Sequence, residues 1–279
     1  LAGETIDAEA IVFGLALPGR VSDRVAAAYD THLFHGATLQ DLPDEPRFVI
    51  NATNVQSGAL WRFMKPYMRD YRVGEVKRPT VPLAHAVAAS SAFPPVLDPA
   101  AFTPGSGTDL QMAPYTTRVI LTDGGVYDNL GLETAWKRYD TILVSDAGGQ
   151  MQAEPEPKSD WARHAYRVLN VVDNQVRALR KRLLIASFKA PAGDADHRAG
   201  AYWGIRTDIA KYGLADALAC PHDRTMMLAN MPTRLKRLDD GAQDRLINWG
   251  YAVCDAALRR HVDPTLGPAP QLPYPGAAV

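Results

Sequence analysis

An apolar run that stops at an acid and two glycines constrains this chain more than any other feature. Arg118-Val119-Ile120-Leu121-Thr122 reads as a short buried strand, and Asp123-Gly124-Gly125 follows it directly. In α/β enzymes, reactive groups sit at the carboxyl ends of strands, where loops form the ligand crevice. Glycines let the backbone turn there without a Cβ clash. An Asp-Gly pair is first of all a hairpin signal. Here, however, the segment that follows, Leu130–Arg138, reads as helix rather than as a returning strand. Asp123 is therefore the first candidate for chemistry.

Around that turn the pattern is mixed helix and strand. Residues 5–29 read as short helical stretches broken at Pro18-Gly19, with Val25, Ala28 and Tyr29 on an inward face. Arg47–Ala52 reads as a buried strand, and Leu83–Phe93 as a short helix stopped by Pro94-Pro95. A Gly/Pro/Thr-rich loop spans Pro99–Pro114, and Thr141–Asp146 reads as a second apolar strand. Strand, helix and strand in this order predict a parallel sheet with crossover helices. Trp161–Phe188 is the longest predicted helix, with Leu169, Val172, Val176, Leu179 and Leu183 as its apolar stripe. Ala242–His261 is a further helix with Leu246, Val253 and Ala257 on one side. The expected organisation is one domain over 1–262 and a Pro-rich flexible tail over 263–279.

Charge and composition exclude several classes. Thirty basic residues against 31 acidic ones give a formal charge of -1, so no global attraction to nucleic acid is expected. No run approaches the roughly 18 apolar residues of a membrane span. Cys220 and Cys254 lack metal or redox spacing and read as free thiols. His32 and His35 have no third ligand at a useful spacing, so no metal is expected. No Walker loop or G-x-G-x-x-G fingerprint occurs, and no nucleotide cofactor is expected.

Four other side chains compete with Asp123. Asp146 also ends a strand before glycines, and a loop-capping role is favoured for it over catalysis. Ser57, Ser90 and Ser91 are the serines nearest to nucleophile-like contexts, yet none sits in G-x-S-x-G. The strip Trp61–Arg72 interleaves rings and cations. It reads either as a packed excursion or as a lipid-interface strip, with packing favoured.

Three ordered segments carry a family resemblance. Phe48-Val49-Ile50-Asn51-Ala52-Thr53-Asn54, then Ala86-Val87-Ala88-Ala89-Ser90-Ser91-Ala92-Phe93-Pro94-Pro95, then Thr122-Asp123-Gly124-Gly125-Val126-Tyr127-Asp128-Asn129 together resemble the patatin-like phospholipase family. Leu246-Ile247-Asn248-Trp249-Gly250-Tyr251 is similar to its bacterial branch, and the likeness extends to about Val262. The resemblance implies a three-layer α/β/α hydrolase with a Ser–Asp dyad, a lipid or ester substrate, and no cofactor. Asp123 matches the dyad aspartate, which orients and deprotonates the serine and returns the proton to the leaving group. Gly124 and Gly125 would shape its turn, while Asp128 and Asn129 would fix the loop that follows.

The resemblance also implies what is missing. The family's oxyanion loop and G-x-S-x-G elbow lie N-terminal to the segment matched here, and neither occurs in the 279 residues. The chain opens at Leu1 inside a helical pattern, so the expectation is a C-terminal portion with the base but not the nucleophile. Loss of the first strands would leave an open sheet edge. A non-catalytic lipid- or partner-binding module on the same scaffold is the alternative. A cytoplasmic protein with peripheral membrane contact is the default expectation, and the sequence fixes no oligomeric state.

Overall fold

Small and β-branched residues at helical spacing set the first described element, α1 (Arg20–Tyr29), where Val21, Val25 and Ala26 are buried. The computed structural model describes residues 20–94, 99–104, 115–232 and 237–279. The helical reading of residues 5–19 and most of the Pro99–Pro114 loop lie outside them. The described residues divide into two compact units, one ending at Thr134 and the other running from Ala135 to Val279.

The first unit is built on strands β1 (Ile50–Asn54), β2 (Ala59–Phe63), β3 (Tyr67–Asp70) and β4 (Gly74–Lys77), helix α2 (Leu83–Ser90), and strands β5 (Ala100–Phe102) and β6 (Val119–Asp123). The six strands form one sheet in the order β4-β3-β2-β1-β6-β5, with every pairing antiparallel. Trp61, Phe63, Met64 and Met68 are buried, and Trp61, Phe63 and Phe102 stack edge-on or tilted at 5.6–6.2 Å. Each such ring contact adds about 0.5–1.5 kcal/mol beyond area burial. In the Trp61–Arg72 strip these four side chains pack into the meander, while Tyr71 is 64% exposed. Helix α2, rich in alanine, packs on β1, β6 and α1, where small side chains permit close approach.

β1 and β6 are flanked on both sides, so the outer strands of the sheet are β4 and β5. β5 pairs with β6 only over Val119–Leu121, so among the described residues Asp123 has a strand partner on the β1 side alone. After β6 come two five-residue helices, α3 (Gly124–Asp128) and α4 (Leu132–Trp136). Each spans about 7.5 Å, against about 17 Å for a five-residue strand, so neither carries the chain back beside β6 in parallel.

The parallel pairing occurs instead in the second unit, between β7 (Thr141–Asp146) and β8 (Ala199–Gly204). Between them runs α5 (Trp161–Lys189), of 29 residues, long enough for a crossover. Gly200 lies at φ +140° in β8, and a Cβ there would collide with the Ile142 carbonyl of β7. A short 3-10 helix (Ile209–Tyr212), α6 (His222–Ala229) and α7 (Asp240–His261) complete this unit. Trp203, Tyr212, Trp249 and Val253 form its core, and Asp239 caps α7 by accepting from the Ala242 N–H at 2.8 Å.

Two expectations change here. The α5 stripe is not inward: Val172, Leu179 and Leu183 are each more than half exposed, while Leu184 and Ser187 are the buried residues of the helix. The Pro-rich tail has no regular structure but has fixed partners. The buried Asn248 amide donates to the carbonyls of Tyr274 and Ala278 at 2.9 and 2.6 Å and accepts from the Tyr274 N–H at 2.9 Å. Among the described residues no helix is long and apolar enough to cross a membrane.

Candidate active site at the end of β6

Asp123 is the last residue of β6 and the N-cap of α3. Its backbone is held from two directions. The N–H donates to the Ala92 carbonyl at 3.1 Å, and the carbonyl accepts from the Thr53 hydroxyl at 2.7 Å. Oδ1 accepts from the Gly125 N–H at 2.6 Å, which fixes the rotation of the carboxylate. Position and orientation are both set by the surrounding fold.

Each supporting segment comes from one of the three stretches singled out in the sequence. β1 supplies Thr53, whose Oγ1 also accepts from the Tyr127 N–H at 3.2 Å and so ties α3 to the sheet. It supplies Asn51 as well, whose Oδ1 accepts from the Thr134 hydroxyl at 3.0 Å. The end of α2 supplies Ala92, whose carbonyl also accepts from the Thr122 hydroxyl at 2.6 Å. Asn51 and Thr53 were not singled out individually. The available signal was two polar residues at period two in a strand that is otherwise buried.

Gly124 sits against the backbone carbonyl of Asn51, and a Cβ at that position would overlap it. The close approach of β6 and α3 to β1 therefore requires glycine. Gly125 supplies the N–H that anchors Asp123. Buried Asp128 accepts from the Glu133 N–H at 2.6 Å and so holds the start of α4, and Asn129 closes α3.

The rival residues are engaged elsewhere. Ser57 Oγ donates to Asp70 Oδ2 at 2.7 Å, and Asn54 Nδ2 donates to the same oxygen at 2.8 Å. The other Asp70 oxygen accepts from the N–H groups of Arg72 and Val73, at 2.7 and 2.8 Å. This carboxylate is 1% exposed and orders the β1–β2 and β3–β4 connections. The pair resembles a dyad in composition only, since no substrate reaches it. Ser91 Oγ donates back to the Val87 and Ala88 carbonyls at the end of α2, and neighbouring Ser90 is that helix's last residue.

Asp146, in the second unit, accepts from the Gly148 N–H at 2.8 Å and from the Tyr202 hydroxyl at 2.7 Å. Both oxygens thus organise the end of β7. His32 and His35 are exposed, and among the described residues no three His, Cys, Asp or Glu side chains converge as metal ligands. Cys220 and Cys254 are free thiols, and burial pushes the Cys220 thiol up to about 11.

The family model described as Patatin-like phospholipase matches residues 12–136, a span that holds α1, the whole six-stranded sheet and the Asp-Gly-Gly turn. No curated protein matches the chain. On this match the 12–136 span is similar to the patatin-like phospholipase family.

Proposed function

We propose that this chain supplies the general base of a carboxylic ester hydrolase acting on lipid, with Asp123 as that base. The observation that carries the reading is the way Asp123 is held at the end of β6, by Ala92, Thr53 and the Gly125 N–H. A carboxylate fixed in position and rotation avoids much of the orientational cost of proton transfer. Its partner is a serine that Ser57 and Ser91 do not supply, because their hydroxyls are committed to Asp70 and to the α2 carbonyls.

The chemistry assigned to Asp123 is simple to state. It accepts the serine proton as Oγ attacks the ester carbonyl, then returns that proton to the departing alcohol. Water repeats the cycle on the acyl-enzyme with Asp123 again as base. Asp128 and Asn129 act through the loop, and Gly124 and Gly125 through the turn.

Asp123→Asn in protein that includes the serine-bearing segment tests the assignment. An asparagine oxygen can still accept from the Gly125 N–H, so the turn survives while the base is lost. Ester hydrolysis is expected to fall by roughly 10³-fold or more with an unchanged unfolding midpoint. Near-normal turnover would remove Asp123 from the mechanism.

A further inference from the structure

The second unit carries a cleft of about 600 Å³ at the carboxyl ends of β7 and β8. Adjacent parallel strands open ligand crevices at this end, where their loops diverge. Four cations from three segments line it. Arg177 and Lys181 stand one turn apart on α5, Arg206 follows β8, and Lys211 lies on the 3-10 helix.

Their partners differ in a way that matters. Arg177 is fixed, donating to the Gly149 carbonyl at 2.7 Å and pairing with Asp173 at 3.3 Å. Lys181 has no carboxylate partner among the described residues; its ammonium rests 4.2 Å from the centroid of the Tyr202 ring. Arg206 donates from Nη2 to the Ala229 carbonyl at 3.0 Å, but its Nε is buried without an acceptor among the described residues. A buried donor in that state is destabilising until an acceptor reaches it.

The two carboxylates of the lining, Asp146 and Asp208, are turned to structural work. Asp146 accepts from Gly148 and Tyr202, and Asp208 from the Ala210 N–H at 3.2 Å. Burial, with Asp146 beside it, pushes the Tyr202 phenol well above its ordinary value, so it remains a donor to Asp146. The lining thus holds four cations against two carboxylates, and Ala178, Ile205 and Tyr212 supply an apolar wall.

We propose that this cleft binds a phosphate ester, its oxygens held by Arg177, Lys181 and Arg206 and its organic part against the apolar wall. Guanidinium groups favour multi-oxygen anions. The volume also exceeds what a bare phosphate fills. The ligand's source is either a soluble metabolite or a lipid headgroup. The site is independent of Asp123 and of the acyl hydrolase reading.

The test uses the 279-residue chain, glycerol phosphate, and vesicles of phosphatidic acid in phosphatidylcholine. Glycerol phosphate is expected to raise the unfolding midpoint above that in potassium chloride at matched ionic strength. Lys181→Gln and Arg206→Lys should each weaken that binding by about tenfold, while Arg163→Gln, elsewhere on α5, should not. Lys181 is exposed on its helix, so its variant keeps the fold. Glycerol phosphate binding without vesicle flotation identifies a soluble ester; flotation lost in Lys181→Gln identifies a headgroup. An effect equal to that of chloride, variants that bind as tightly as the parent, or no binding of either probe would overturn the site.

Discussion

At the residue scale, Asp123 is held by groups distant in sequence. Thr53, seventy positions away, binds its carbonyl, and Ala92 accepts from its N–H. That distance explains what could be read in advance. Asp123, Gly124 and Gly125 were legible because strand end, acid and turn are contiguous. Asn51 and Thr53 were not, because their roles exist only once β1 pairs with β6 at Ala52↔Asp123 and Thr53↔Thr122. Asp70 shows the converse: Ser57 and Asp70 form a close pair that no local pattern announces, and its burial makes it structural. Gly124 offers the sharpest test at this scale. A methyl group there meets the fixed Asn51 carbonyl, so Gly124→Ala should destabilise the first unit by about 1–3 kcal/mol, the usual cost of overpacking. Urea titration measures it, and an unchanged midpoint would mean that α3 is not seated against β1.

At the element scale, periodicity located helices and strands better than it located their neighbours. β7 matches its expected bounds, and α5 extends one residue past them. What periodicity could not supply was pairing. β7 joins β8 in parallel, while β6 joins β1 and β5 in an antiparallel sheet, because α3 and α4 are too short for a crossover. The α5 stripe teaches a related lesson: an amphipathic pattern defines a face, and Leu179 and Leu183 show that the face is exposed among the described residues. The tail was unreadable for another reason. Its order comes from one side chain, Asn248 on α7, rather than from its own composition. Asn248→Ala leaves two carbonyls and one N–H without that partner. The expected loss is on the order of 2–4 kcal/mol, with faster proteolysis confined to the tail. Equal cleavage rates in variant and parent would show that the tail is held by something else.

At the scale of the whole molecule, each of the two units has its own buried core. The second unit has an alkaline limit written into its core. Burial raises Cys220 from 9.0 to about 11, and burial with the neighbouring Cys254 raises Tyr212 from 10.0 to about 12. A raised folded value means that the unfolded chain releases the proton first as pH rises. Stability from these groups is therefore complete below about pH 9 and is lost through the range up to about 12. Denaturation midpoints measured across that range should decline, and Tyr212→Phe should make the decline shallower above pH 10; an identical slope would contradict the assignment to Tyr212. The first unit holds the central claim, that Asp123 activates a serine. The most direct measurement is the rate at which a fluorophosphonate labels that serine, in protein containing the serine-bearing segment, for the parent, Asp123→Asn and Asp146→Asn. The account predicts labelling slowed by roughly 10²-fold or more in Asp123→Asn, parent-like labelling in Asp146→Asn, and none on Ser57, Ser90 or Ser91 in the 279-residue chain alone. Undiminished labelling in Asp123→Asn, or a labelled serine within these 279 residues, would contradict it.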